Sequence, residues 1–226
     1  MKDEQFLANP IKGSVMVMLG QIFTIQPHVY KKFVLDYPME LENRLIAVSK
    51  STFVRKISLS EIKTGSEVVS VLQKLVHMDM ATKKSCKLPQ KVLDLLMDVK
   101  GTDVQDVFQN IVPQQPTEKA FTCTQMVKHS DMDFLMHTNQ GTYMRFAFDC
   151  AAEAASQNGF QVIKEDICRY QVVKANTLHM SETFAGDKLI VKVWDDDVDP
   201  YRLHCAIFKN KTNVFYVSMN LTDDVI

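Results

Sequence analysis

The chain has 226 residues, of which 46% are apolar and 23% charged, and its formal net charge at pH 7 is −1. This length allows one large domain or two small ones, and the composition and near-zero charge give no reason to expect a nucleic-acid partner. No apolar run approaches the roughly 18 residues of a membrane span, and the first residues, MKDEQFLANP, resemble neither a signal peptide nor a transit peptide. We therefore expect a cytoplasmic protein.

The five cysteines are widely spaced and include no C-x-x-C pair. An odd number of cysteines without a secretory leader argues against a disulfide framework, and the spacing argues against a structural zinc site. We expect the five cysteines to be small buried apolar side chains, and we expect neither a metal nor another cofactor.

The first half contains one predicted helix and two predicted strands. Residues 27–37 favour a short helix, and residues 51–62 and 67–76 favour strands separated by a turn that contains Gly65. The polar stretch 98–119, which contains Gly101, Pro113 and Pro116, marks the clearest break in the chain. It predicts two domains, 1–115 and 116–226.

The second half predicts a strand over 120–129, a polar loop over 130–139 and a helix over 140–158. Asn139 is a suitable N-cap for this helix, and Asn158-Gly159 is a suitable stop. Four further strands are predicted over 167–179, 188–194, 202–209 and 213–221. One helix followed by antiparallel strands indicates an α+β fold. Two strands joined at a glycine, Gly65 in one half and Gly186 in the other, indicate a weak internal repeat.

The most informative segment runs from residue 130 to residue 143 and reads SDMDFLMHTNQGTY. It resembles the D-x-D-x-x-x-H-x-N-x-x-x-Y signature of the 4-hydroxybenzoyl-CoA thioesterase-like hotdog family, which includes the plant acyl-carrier-protein (ACP) thioesterases. The matching positions are Asp131, Asp133, His137, Asn139 and Tyr143, and Gly186-Asp187 matches a turn that is common in the family. The resemblance covers nearly all of 116–226. It implies a hotdog fold, an antiparallel sheet wrapped around a central helix, in two tandem copies of which the first is degenerate.

The chemistry of thioester hydrolysis agrees with this resemblance. One carboxylate can attack the thioester carbonyl or activate a water, and the developing oxyanion needs fixed donors. The first N–H groups of a helix are such donors because they have no partner within the helix. The family match implies that Asp133 is the reactive carboxylate and that the N–H near Gln140 faces the thioester oxygen.

Each candidate residue also has a structural interpretation. The candidate catalytic residues are Asp133, His137, Asn139 and Gln140, and the candidate substrate-contacting residues are Asp131 and Tyr143. Asp131 can instead hold the loop through backbone hydrogen bonds, and His137 can be a hydrogen-bonded structural histidine. Asn139 can serve only as the helix cap, and Tyr143 can pack along the pocket.

Two positions depart from the family pattern. Plant-type relatives carry an asparagine where this chain has Leu135, and many relatives carry an acid on the long strand where Leu178 stands. The first half lacks the motif, so we interpret it as a non-catalytic partner that completes the cleft.

The expected function is hydrolysis of acyl thioesters of coenzyme A or ACP, with homodimerisation through the sheets as a further expectation. The alternative is an inactive hotdog that binds acyl groups or serves as an interaction module. A hotdog hydratase fits the motif poorly.

Overall fold

The computed structural model describes residues 13–31, 38–95 and 108–225. The strands are β1 (Ser14–Ile25), β2 (Met39–Val48), β3 (Thr52–Glu61), β4 (Glu67–Asp79), β5 (Phe121–Met126), β6 (Tyr170–His179), β7 (Lys188–Asp195), β8 (Arg202–Lys209) and β9 (Thr212–Val225). The helices are α1 (His28–Lys31), α2 (Gln90–Leu95) and α3 (Gln140–Ser156), and 3₁₀ turns lie at His129–Asp131 and Ile167–Arg169.

All nine strands of the described residues form one sheet in the order β2-β3-β4-β1-β6-β9-β8-β7-β5, and every neighbouring pair is antiparallel. The pairing of β1 with β6, from Gly20↔Leu178 to Thr24↔Lys174, joins the two halves of the chain. A long helix packed on a large antiparallel sheet confirms the α+β prediction.

α3 lies against the second half of the sheet through a stripe of small and aromatic residues. Asn139 caps its N-terminus by accepting a hydrogen bond from the Gly141 N–H at 2.8 Å. The helix ends where Asn158 takes a left-handed φ of 56° and the Gly159 N–H donates to the Ala154 carbonyl at 2.8 Å. Its buried face consists of Thr142, Tyr143, Phe146, Ala147, Cys150, Ala151, Ala154 and Ala155. The alanines let the helix approach the sheet closely.

The opposite, outer face of the second half carries a buried aromatic and polar cluster. His204 stacks with Trp194 and Tyr216, and its imidazole is hydrogen-bonded to the Tyr216 hydroxyl at 2.7 Å and to the Asp196 carboxylate at 2.8 Å. Burial opposes ionisation of Asp196, but hydrogen bonds from backbone amides and from His204 hold its pKa at about 2. Leu178 packs on the same cluster.

Several predicted elements are confirmed, and two strands were missed. The strands predicted over 51–62, 67–76, 120–129, 167–179, 188–194, 202–209 and 213–221 correspond to β3, β4 and β5 to β9, although residues 167–169 form a 3₁₀ turn. β1 and β2 were not predicted. The predicted helix 27–37 begins as α1, and residues 32–37 lie outside the described part of the chain.

The proposed equivalence of Gly65 and Gly186 is wrong. Gly65 lies in the turn between β3 and β4, which are neighbours in the sheet, whereas Gly186 precedes β7, which is not a neighbour of β6. In the second half, one hairpin turn between neighbouring strands joins β8 and β9, where Asn210 has a φ of 57°. The predicted domain division at residue 115 stays a prediction.

Candidate active site

The candidate residues lie in the loop between β5 and α3, and this loop is closed on itself. The Asp133 N–H donates to the His137 carbonyl at 2.8 Å, and the Met136 N–H donates to the Asp133 carbonyl at 3.0 Å. Met136 has a φ of 60°, which tightens the turn, and Met132 and Thr138 form an antiparallel bridge below it. The loop therefore holds its side chains on a fixed backbone.

Asp131 is buried, and the protein occupies both of its carboxylate oxygens. Oδ2 accepts the Lys128 N–H at 2.8 Å, and Oδ1 accepts Nη2 of Arg145 at 2.6 Å. Its carbonyl accepts the Asn139 N–H at 2.7 Å. Asp131 thus connects the start of the loop with the start of α3. These contacts are those of a residue that holds the loop in position.

Asp133 has a different arrangement. Its Oδ1 accepts two backbone N–H groups, from Leu135 at 2.8 Å and from His137 at 3.2 Å. No described residue donates a hydrogen bond to its Oδ2. The carboxylate is therefore oriented through one oxygen and has the other available, which suits either a nucleophile or a general base.

The N-terminus of α3 supplies one unpaired backbone donor beside this loop. The Asn139 side chain accepts a hydrogen bond from the Gly141 N–H, and the Asn139 carbonyl accepts one from the Thr142 N–H at 3.0 Å. No described group accepts the N–H of Gln140, the first residue of the helix. This N–H is a suitable donor to a developing oxyanion, and the helix dipole reinforces it.

His137 belongs to a chain of ionisable side chains that crosses from one half of the protein to the other. Its Nε2 lies 3.6 Å from Oε2 of Glu182, whose Oε1 lies 3.3 Å from Nζ of Lys83. The His137 ring also meets the Phe184 ring edge-on, with centroids 5.4 Å apart. Glu182 does not occupy the strand position at which relatives carry an acid, and it was not among the predicted site residues, but it is the acidic neighbour of His137.

Tyr143 and His179 form an aromatic wall on the helix side of the sheet. Tyr143 is buried, stacks on Phe215 at 5.1 Å and hydrogen-bonds Thr183 through its hydroxyl at 2.8 Å. Burial raises the pKa of Tyr143, against the opposing effect of its hydrogen bonds to Thr183 and Thr138. Burial lowers the pKa of His179 to about 4, so the ring is neutral at pH 7, and its buried Nε2 has no hydrogen-bond partner.

The structure corrects the interpretation of position 178. Leu178 was singled out because relatives carry an acid there, but its side chain packs on the outer face with Trp194 and Tyr216. Successive residues of a strand point to opposite faces. The side chain of β6 that faces the candidate site is therefore His179, which the sequence analysis missed. Leu135 does lie in the loop, where only its backbone N–H contacts Asp133.

No group of three or more metal-binding side chains that could hold a metal ion occurs within residues 13–31, 38–95 and 108–225. None of the helices in these same ranges is long and apolar enough to span a membrane.

Comparison with known proteins identifies the fold. No family model and no curated protein matches the sequence. The structure resembles a 12:0-ACP thioesterase from Umbellularia californica with a TM-score of 0.71, at 13% identity over 93% of this chain and 76% of that one. It resembles an acyl-ACP thioesterase from Bacteroides thetaiotaomicron with a TM-score of 0.65, at 14% identity over 93% of this chain and 78% of that one. The chain therefore has the fold of these thioesterases, a large antiparallel sheet with one main helix that matches the hotdog fold.

Proposed function

We propose that the protein hydrolyses acyl thioesters, carried on coenzyme A or ACP, to the free acid and the thiol. The observation that carries the proposal is the Asp133 carboxylate, which is fixed through Oδ1 and available through Oδ2. It lies in the loop that leads directly into the N-terminus of α3. The fold shared with two acyl-ACP thioesterases supports the same chemistry.

In the proposed reaction, Oδ2 of Asp133 either removes a proton from the attacking water or attacks the thioester carbonyl itself. In the second case the thiolate leaves, and a water then hydrolyses the mixed anhydride to release the acid. The N–H of Gln140 donates to the carbonyl oxygen as negative charge develops on it. The thiolate needs little help to leave, and protonated His137 can donate to it while Glu182 stabilises the imidazolium. Asn139 shapes the site as the helix cap. Asp131 holds the loop, and Tyr143 lines the acyl side.

The strand order supports the proposal that the first half is a reduced hotdog copy. Counted outward from the β1–β6 junction, the first half runs β1, β4, β3, β2 and the second runs β6, β9, β8, β7. These two sequences of strands correspond one to one. In the described residues the first half has no counterpart of α3, which supports a non-catalytic role in which it completes the cleft.

A measurement of thiol release from acyl-CoA thioesters of increasing chain length tests the proposal. We expect turnover that falls about 10²-fold or more in Asp133→Asn, because the amide cannot act as a base or nucleophile. Asp166→Asn is the matched control, since Asp166 is also a loop aspartate that caps a backbone amide, the Cys168 N–H at 2.9 Å. Turnover that is unchanged in Asp133→Asn would refute the role of Asp133.

The second candidate function is a binding module without turnover, and two observations favour it. Leu135 provides no side-chain donor or acceptor beside Asp133, and the loop tip exposes two large apolar side chains, Phe134 at 91% and Met136 at 61%. If Leu135 is what limits the rate, Leu135→Asn will raise turnover. Tight acyl-CoA binding without turnover in the wild type and in this variant would favour the binding module.

A homodimer formed through the sheets is a further proposal. The two edge strands of the described sheet, β2 and β5, carry polar side chains that disfavour edge-to-edge pairing, so the proposed contact is between sheet faces. Sedimentation velocity measures the oligomeric state directly. The cytoplasmic location stays an expectation, and we propose a role in fatty-acyl metabolism.

A further inference from the structure

A polar row crosses the sheet between the two halves. Arg55 on β3 pairs with Gln73 on β4, Gln73 pairs with Gln21 on β1, and Gln21 pairs with Thr177 on β6. Paired residues of neighbouring strands project to the same face, so these four side chains share one side of the sheet. Three strand spacings separate Arg55 from Thr177, which is about 14 Å.

This side is the one that carries the candidate active site. In the next row Phe23 pairs with Ala175, and both belong to the core against which α3 packs. Thr177 precedes His179 by two residues and therefore points to the same face. The ring of His179 contacts that of Tyr143, with centroids 6.1 Å apart. The polar row thus leads from the aromatic wall of the site into the first half.

Arg55 is a cation in apolar surroundings. Its neighbours two positions away on β3 are Phe53 and Ile57, and Val71 and Leu75 flank Gln73 on β4. The side chain is partly buried, and this burial lowers the pKa of the guanidinium. No carboxylate of the described residues forms an ion pair with it. A charge that is partly desolvated without a counter-ion is costly, and a bound anion would remove that cost.

The hydrogen bond of this pair leaves several N–H donors available. Nε of Arg55 donates to Oε1 of Gln73 at 2.7 Å. Because a guanidinium has no acceptor, the oxygen of Gln73 must face it, and the amide nitrogen of Gln73 is left as a donor. Neither that nitrogen nor the two Nη atoms of Arg55 bonds to a described residue. Adjacent donors without acceptors suit an oxyanion.

We propose that Arg55 and Gln73 bind an oxyanion of the thioester substrate, in the first place a carboxylate at the distal end of its acyl group. This inference rests on the proposed function for the identity of the ligand. The apolar residues around Arg55 would contact the methylene groups, and the guanidinium would pair with the terminal carboxylate. A phosphate of the carrier has the same chemistry and is the other source of such an oxyanion.

Binding of matched ligands tests the proposal independently of turnover. Tetradecanoyl-CoA and tetradecanedioyl-CoA have acyl groups of equal length, and only the latter ends in a carboxylate; pairs of twelve to eighteen carbons cover acyl lengths that can span the roughly 14 Å of the polar row. Dissociation constants are measured by calorimetry in the Asp133→Asn background, which retains the thioester. We expect tighter binding of at least one dicarboxyl ligand by about tenfold or more, and loss of that preference in Arg55→Gln.

Lys56→Gln is the matched control. It removes the same charge from the next residue, which points to the opposite face and pairs with Glu67, so the preference should be unchanged. Arg55→Lys is a second variant, which retains the charge and should retain part of the preference. Thermal melting of each variant checks that it is folded.

Thioesters of N-acetylcysteamine, which lack phosphates, separate the two sources. If Arg55→Gln weakens all CoA ligands equally and leaves N-acetylcysteamine ligands unchanged, the oxyanion is a carrier phosphate. If Arg55→Gln changes neither the preference for dicarboxyl ligands nor the affinity for CoA ligands, the proposal is refuted. Failure of hydrolysis with retained Arg55-dependent binding would instead refute the proposed activity and leave this site standing.

Discussion

Asp131 and Asp133 lie two positions apart and have opposite hydrogen-bonding environments. Both carboxylate oxygens of Asp131 accept hydrogen bonds from other residues, whereas only one oxygen of Asp133 does. We expect Asp131→Asn to lower the free energy of unfolding by about 1–2 kcal/mol, since it weakens a pair with the half-exposed Arg145. In Asp133→Asn the amide oxygen can accept the same two N–H groups, so the change should stay below about 1 kcal/mol. Urea unfolding measures both, and equal losses would contradict the division of roles.

His179 makes stability depend on pH in a defined window. Its folded pKa is about 4 against 6.5 in the unfolded chain, so the unfolded state binds more protons as pH falls below 6.5. Stability present above pH 6.5 is therefore lost between pH 6.5 and 4, by about 3 kcal/mol at most.

His179→Phe should remove this loss while retaining the ring contacts with Tyr143 and Phe215. The comparison is between urea midpoints at pH 7 and pH 4.5 in the two proteins. Exposed His28 provides the control, because His28→Phe should keep the wild-type pH dependence. A slope that is unchanged in His179→Phe would show that other groups cause the acid sensitivity.

Among the elements, the close packing of α3 on the sheet can be tested at two adjacent alanines of the helix. Ala151 is fully buried, whereas its neighbour Ala152 is half-buried. Ala151→Leu should destabilise the protein by about 1–3 kcal/mol because the added atoms have no space. Ala152→Leu, the same change one position away, should cost less. Equal thermal shifts for both variants would mean that the interface can repack.

The sequence predicted the elements whose pattern is local. α3 has its cap, its apolar spacing and its stop within one segment, and β8 was predicted with the bounds observed, Arg202–Lys209. β1 is nearly apolar on both faces because it is an interior strand between β4 and β6, so it lacks the alternation that reveals a strand. β2 is an edge strand with several charged residues, so its sequence resembles that of a polar loop.

The candidate loop was predicted through its motif, but its neighbours were not. Glu182 and His179 approach His137 and Tyr143 only because β6 and the segment after it fold back beside α3. Such contacts between residues about 40 positions apart follow from strand order and register. The wrong expectation for Leu178 has the same origin, since a shift of one residue reverses the face.

At the scale of the molecule, the β1–β6 junction predicts that both halves unfold together. A Cβ atom at Gly20 would lie 2.7 Å from the backbone oxygen of Thr177, so Gly20→Ala must displace one strand. We expect a loss of about 1–3 kcal/mol in one cooperative transition. Trp194, the only tryptophan, reports on the second half, whereas far-ultraviolet circular dichroism reports on all strands. Separate midpoints for the two probes would contradict a single cooperative unit.

Because the two halves form one sheet, its described part has just two edge strands, β2 and β5. Both disfavour pairing with another chain. β2 carries Glu40, Glu42 and Arg44 along its length, and β5 carries Thr122, Thr124 and Gln125. Charges and polar side chains on an edge discourage the addition of a further strand. We therefore expect these edges to oppose open-ended strand addition, and we expect mutations that neutralise the charges of β2 to promote aggregation first.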